Sequence, residues 1–340
     1  MKIGIFSNAG DRQAQRLFDA LETLSSGSAQ MFDLALNPED RTALDANRLI
    51  WNGVDLAKLD AAFVRGFSYQ DPILPSGGID IDWSVWREDY IAEQMKYTYL
   101  HSLFMEMARR GVKVVNSPEQ HMQGFMRPLV LEQLRRAGVS VPQSVCTNIM
   151  DVAKDFCAKN AAVVWRPVTG RASIQLFRDK QREALISLKK PPVILAELKD
   201  GPLVRGYFFE NKPLLLLERY VPAAQPEETL ERFFEVPCPE VREQLALAAR
   251  TLNIPWVQML FTIVDGKAWI YDVDTDPLIE GLPIDFQTKL TSLLAQKLLG
   301  RNADFEAPLS GLDEAVRQRP TMFLRRMLQI LFEFEQSKYK

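Results

Sequence analysis

The chain has 340 residues and a formal net charge of −3, with 47% hydrophobic and 25% charged residues. That length suits two or three compact domains, and the charge balance gives no reason to expect nucleic acid or an anionic membrane as a partner. No window approaches the roughly 18 consecutive apolar residues of a membrane span, and "MKIGIFSNAG" is too short and wrongly flanked for a secretion signal, so the expectation is a cytoplasmic protein.

The apolar run "KIGIF" at 2–6 reads as a strand, and Asp11 caps a helix whose apolar positions are Leu17, Ala20, Leu21 and Leu24. "LDAAFVRGF" reads as a second buried strand, a long amphipathic helix ends at Gly111, and "VKVVNSP" is a third strand. Strand–helix–strand order implies parallel pairing in an open α/β sheet running to about residue 117. Ser117, Pro118 and Gln120 form a helix start, a second helix runs from near Pro128 to Gly138, and "VSVPQSVCT" is extended. Then come a helix, the strand "AAVVWRPV", a loop, a helix, the strand "PVILAEL", and a hairpin from "VRGYFFE" to "LLLLERY". Residues 239–252 read as a helix. Asp265-Gly266 is a favoured two-residue turn between "WVQMLFTIV" and "KAWIYDVD". Two helices close the chain. The last, "TMFLRRMLQILFEFEQ", has more apolar surface than a solvated end needs; docking on the core, slightly favoured, or a homodimer seam would account for it.

Few residue types are left for chemistry. Cys146, Cys157 and Cys238 lack metal-ligand spacing and read as reduced, buried thiols. With only His101 and His121, a catalytic triad or a histidine-rich zinc site is hard to build. The distinctive stretch is "WIYDVDTDP" at 269–277, where Asp272, Asp274 and Asp276 alternate onto one side of an extended chain. Three crowded carboxylates repel one another, so a metal ion, arginines or water should lie against them.

Taken in order, "VVNSP", Arg127 ten residues before "AGVSVP", Arg166 in "VVWRPVTG", Glu197 in "PVILAEL", Arg205 in "PLVRGYFF" and the acids of "YDVDTDP" resemble the ATP-grasp superfamily. The likeness is greatest to the branch holding glutathione synthetase and the ribosomal-protein S6 glutamate ligase. It implies an N-terminal open parallel α/β (pre-ATP-grasp) domain at 1–117 and a two-subdomain ATP-grasp fold. The central small subdomain would span 118–195, the C-terminal subdomain 196–295, and a helical extension 296–340. The expected class is therefore α/β and α+β.

The resemblance also implies chemistry. ATP with Mg²⁺ would phosphorylate a small-molecule or peptide carboxylate, and an amine would attack the acyl phosphate. Arg127 and Arg166 stand where the family usually has phosphate-binding lysines, keeping charge but not geometry. Arg171 and Ser173 fall in a lid that keeps only Gly170 of the usual glycines. Glu197 and Leu198 fall at the adenine hinge, and Arg205 faces phosphate or substrate. Asp272 takes the usual glutamate position and Asp274 the usual asparagine position as magnesium ligands. Arg65 and Asp276 would meet substrate, under a flap formed by "QDPILPSGGIDIDW". The second metal acid normally stands about a dozen residues before Asp272, and that count lands on Met259 or Leu260, neither of which binds magnesium. Two readings remain open: an active ligase in which arginines compensate for lost metal charge, or a degenerate member that binds nucleotide, peptide or a partner without ligation.

Overall fold

The computed structural model describes residues 1–36, 39–67, 83–168, 174–177, 192–220, 230–233, 239–302 and 316–317. Outside them lie Arg171 and Ser173 with the rest of the expected lid, residues 70–82 of the expected flap, Cys238, and the apolar C-terminal helix at 321–336.

Strand β1 (Ile3–Ser7) is buried at every residue, as suits a central strand covered on both faces. Helix α1 (Arg12–Leu24) follows, with the Asp11 carboxylate accepting the Ala14 N–H at 2.9 Å as its cap. Strand β2 (Ala29–Asp33) comes next, then a small antiparallel sheet of β3 (Thr42–Leu44), β4 (Leu49–Trp51) and β5 (Val54–Asp55). The sequence reading passes over these four strands, which are short and only partly apolar. Strand β6 (Ala61–Val64), helix α2 (Trp83–Arg109) and β7 (Lys113–Val115) complete a parallel sheet in the order β2–β1–β6–β7.

Helix α3 (Pro118–Gln123) opens on a capping box between Ser117 and Gln120. Helix α4 (Arg127–Arg136) follows at once. A second, antiparallel sheet contains β8 (Ser144–Thr147), β9 (Val163–Pro167), β10 (Gln175–Leu176) and β11 (Val193–Glu197), in the order β10–β9–β11–β8, with helix α5 (Met150–Lys159) on one face. The third sheet is built from β12 (Leu203–Phe209), β13 (Lys212–Tyr220), β14 (Leu230–Phe233), β15 (Trp256–Val264), β16 (Lys267–Asp274) and β17 (Val316–Arg317). Its order is β16–β15–β12–β13–β14–β17. Both of its tight hairpin turns use positive φ at two successive residues, Glu210-Asn211 and Asp265-Gly266, as the strand twist requires.

The cores explain the stacking. One face of the parallel sheet buries Phe6, Phe32 and Trp51 under Phe104 of α2. Its other face joins α1, helix α7 (Ile284–Leu298) and one end of the third sheet in a shared core that includes Ile5, Leu21, Tyr207, Trp256 and Phe286. The third sheet's opposite face carries α4 and helix α6 (Pro239–Leu252) over Val204, Phe208, Met259 and Phe261. The cysteines depart from expectation: Cys146 is exposed and Cys157 half-buried rather than packed in a core. Cys146 alternates with the inward-facing Val145 on β8, so strand parity places it outward. Both histidines lie on helices, His121 buried with its ring nitrogen 3.2 Å from the Val64 carbonyl oxygen. No described helix is long and apolar enough to cross a membrane.

Candidate functional site

The site lies where one face of the third sheet emerges from its cover. Along β12, Phe209 and Tyr207 are fully buried, whereas Arg205 on the same face is only partly so. Pairing carries this change across the sheet. Arg205 sits opposite Leu260 of β15, and Leu260 opposite Asp272 of β16. Likewise Tyr207 sits opposite Gln258, and Gln258 opposite Asp274. Directly paired residues share a face. Arg205, Gln258, Asp272 and Asp274 therefore line one surface, with Arg205 about 10 Å from Asp272 by two strand spacings.

A bulge makes that alignment possible. From the Asp265-Gly266 turn, Val264 pairs with Lys267 and Phe261 with Ile270; continued without interruption, the ladder would set Asp272 against Met259. Met259 is fully buried under α4 and α6, so a regular ladder would push the carboxylate into hydrocarbon. Instead the register shifts between Leu260 and Phe261, Tyr271 becomes the extra residue, and both aspartates turn to the open face. Of the two candidates for the missing metal acid, it is Leu260 that stands opposite Asp272. Gln258 shares the face of Asp274, a placement the sequence count did not give.

The Asp272 carboxylate lies between two guanidinium groups. Arg127 Nε donates to Oδ1 at 2.9 Å, and Arg166 Nη1 is paired with Oδ2. The three side chains are 6%, 4% and 15% exposed for Arg127, Arg166 and Asp272. Arg127 is the first residue of α4, whose Val130, Leu131 and Leu134 anchor it on the third sheet. Arg166 is on β9 of the second sheet, paired with Ile194. One acid thus holds cations from two different layers.

Asp274 and Asp276 have different surroundings. An Asp274 oxygen accepts the Asp276 N–H at 3.0 Å, closing a local turn. Asp276 accepts from Arg65 Nη1 at 2.9 Å and from the Gly66 N–H at 3.1 Å. Arg65 is buried and also pairs with Asp11 at 2.8 Å and donates to the Pro277 carbonyl at 3.3 Å. The guanidinium expected to face a substrate carboxylate thus faces two protein carboxylates, because "FVRGF" meets the end of β16 directly. Asn116, buried at the end of "VVN", reinforces this junction: its amide donates to the carbonyls of Trp256 and Thr275 at 2.6 and 2.7 Å and accepts the Trp256 N–H at 2.9 Å. Gln13 adds bonds to the Pro277 carbonyl and the Ile279 N–H, both at 3.0 Å. Among the described residues, no three His, Cys, Asp or Glu side chains are grouped so as to hold a metal ion.

From Arg166 a narrow apolar slot runs between the second and third sheets, walled by Val164, Ile194, Ala196, Leu131 and Ile270. Ala196 of its wall leads directly into the segment after β11. Glu197 pairs with Lys199 at 2.7 Å, the Lys199 ammonium sits 4.4 Å from the centre of the Trp269 ring, and Leu198 is 37% exposed. The Tyr271 hydroxyl accepts the Lys199 N–H at 2.7 Å and donates to the Glu197 carbonyl at 3.2 Å. Burial pushes the Tyr271 phenol above its usual range near 10, against the pull of the Lys199 N–H, so the phenol keeps its proton at neutral pH. No sequence signal marked Tyr271, whose aim is set by the bulge.

No family model and no curated protein matches the chain. Solved structures do match its fold. The ATP-grasp ligase PsnB, in complex with a minimal precursor, Mg and ADP, superposes with a TM-score of 0.74 at 23% identity, covering 88% of this chain and 96% of that one. The macrocyclase MdnC from Microcystis aeruginosa MRC, bound with precursor peptide MdnA, gives 0.69 at 14% identity over 88% of this chain and 100% of that one. D-alanine–D-alanine ligase from Bacillus anthracis, complexed with ATP, gives 0.55 at 14% identity over 88% and 94%. The fold of this chain is that of ATP-grasp ligases.

Proposed function

We propose that the protein is an ATP-dependent carboxylate–amine ligase whose carboxylate substrate belongs to a peptide. The observation that carries this reading is the buried Arg127–Asp272–Arg166 cluster, whose Arg166 lines an apolar slot, with Arg205 on the face of Asp272. An apolar slot suits a nucleobase, and a cationic end suits its phosphates. PsnB and MdnC were each solved with a precursor peptide, which supports a peptide substrate.

Arg166 and Arg127 would neutralise the phosphates, and Arg205 would meet the phosphoryl group in transfer or the acceptor carboxylate. The γ-phosphoryl group passes to the carboxylate oxygen, leaving ADP. The amine then attacks the acyl carbon, forming the amide and releasing phosphate. Asp274 and Gln258 present oxygen donors on the open face and fit one Mg²⁺ arriving with the nucleotide, which would supply charge neutralisation. A protein-held metal pair does not fit, because Leu260 stands opposite Asp272 and both Asp272 oxygens already face guanidinium groups. The same observation favours a second reading, a nucleotide binder that has lost ligation. Under either, Arg65 and Asp276 join layers and do not bind substrate.

Calorimetric titration with ATP and Mg²⁺, followed by ADP release across a panel of acidic peptides, tests the choice. Binding with peptide-dependent ADP release is the expected result. Binding without release for any carboxylate favours the non-catalytic reading, and absence of nucleotide binding removes both.

A further inference from the structure

The apolar slot is narrow. Its free space is about 10 Å³, about what one water occupies and far less than a purine needs. Tyr271 is part of its lining, and what holds the phenol there is specific. The Glu197 carbonyl and the Lys199 N–H, two residues apart, both bond to the Tyr271 hydroxyl. A hydroxyl can answer both because it donates and accepts through one atom. Adenine offers the same complement on its pairing edge: an amino group that donates, beside a ring nitrogen that accepts. Guanine offers the reverse order there.

We propose that Tyr271 is the gate of the nucleotide slot, its hydroxyl holding the hinge contacts that the adenine base takes over on binding. This rests on the nucleotide reading above and adds a residue to it. Tyr271 is the extra residue of the β16 bulge, so the device that turns Asp272 toward the arginines also aims the phenol at the hinge. Its two bonds also tie the second sheet to the third, so opening the slot and releasing Tyr271 are one event. The side chain acts as an internal competitor, and ATP affinity is lowered by the strength of the contact it must replace.

The test compares the intact protein with Tyr271→Phe, which keeps the ring and removes the hydroxyl. Calorimetry would measure ATP and inorganic tripolyphosphate, and hydrogen exchange would follow the Lys199 amide without ligand. ATP should bind about five- to tenfold more tightly to the variant, the worth of a net hydrogen bond or two. Tripolyphosphate, which reaches only the arginines, should bind both proteins alike. The Lys199 amide should exchange faster in the variant. Unchanged or weakened ATP affinity, with tripolyphosphate binding intact, would overturn the gate and leave the nucleotide reading standing. A Lys199 amide equally unprotected in both proteins would overturn it without any ligand. Failure of both proteins to bind either ligand would remove the nucleotide reading, and the gate with it.

Discussion

Two arginine–aspartate clusters lie at the end of β16, and they differ in which partner is shared. At Arg65 one guanidinium is shared by two carboxylates, Asp11 and Asp276, with the Gly66 N–H and the Pro277 carbonyl completing the shell. At Asp272 one carboxylate is shared by two guanidinium groups, from α4 and β9. Both clusters are buried and both cross between layers. The first sits within a backbone network that also includes Asn116 and Gln13. The second stands beside a slot that Arg166 lines. Burial and ion pairing alone therefore do not mark a binding site in this molecule; the adjoining cavity does.

The strongest way to break the comparison is Arg65→Ala. It removes the cation from two buried carboxylates at once, and losing one partner of a buried pair costs about 3–5 kcal/mol. Urea unfolding should show a loss of that size. A loss below about 1 kcal/mol would mean that the junction is not what joins the first and third layers. Asn116→Leu attacks the same junction without altering charge. It leaves the Trp256 and Thr275 backbone groups without their buried partner, at about 2–3 kcal/mol.

Arg166→Ala should separate the clusters. Asp272 keeps Arg127, so stability should fall by about 1 kcal/mol, while ATP affinity should fall about 10- to 100-fold, the worth of a charge-assisted phosphate contact. An Arg166 variant that unfolds like Arg65→Ala but binds ATP normally would erase the distinction. Asp272→Asn sharpens it further. If Asp272 is a counter-ion for the arginines, the variant should bind metal-free ATP a few-fold more tightly in titration, since a negative charge near the phosphates is gone. If Asp272 is a metal ligand, binding in the presence of Mg²⁺ should weaken instead.

Most of the frame was legible in the sequence. The helix caps at Asp11 and Ser117, the parallel sheet and the Asp265-Gly266 hairpin all follow from local chemistry. The approach of Arg127 and Arg166 followed from the resemblance. What periodicity could not give was the bulge. A one-residue shift in pairing decides whether Asp272 meets Met259 or Leu260, and nothing local in "KAWIYDVD" announces it, because the reason lies in the core under α4. Arg65 is hard to place from sequence for a related reason. An arginine at a strand end looks available until the partner acids, distant in sequence, are folded against it. Glu197 is similarly a poor guide to the hinge, where the polar contacts are backbone groups held by a tyrosine from another sheet.

The smallest expected effect concerns that tyrosine and pH. Burial raises the Tyr271 phenol above its usual value near 10, so the folded protein holds the proton to higher pH than the unfolded chain does. Stability from this group is therefore fully present below about pH 10 and lost as pH rises through the folded-state value. Ionisation also removes the hydrogen donated to the Glu197 carbonyl while strengthening acceptance from Lys199, so the hinge contact loses one of its two bonds. Unfolding midpoints measured from pH 8 to 11 should decline less steeply for Tyr271→Phe than for the intact protein. Arg65→Ala, which leaves the phenol in place, should keep the steeper decline however much its midpoint has dropped. Identical slopes for the intact protein and Tyr271→Phe would show that the phenol is hydrated, and the hinge contact would then be too weak to hold the second and third sheets together.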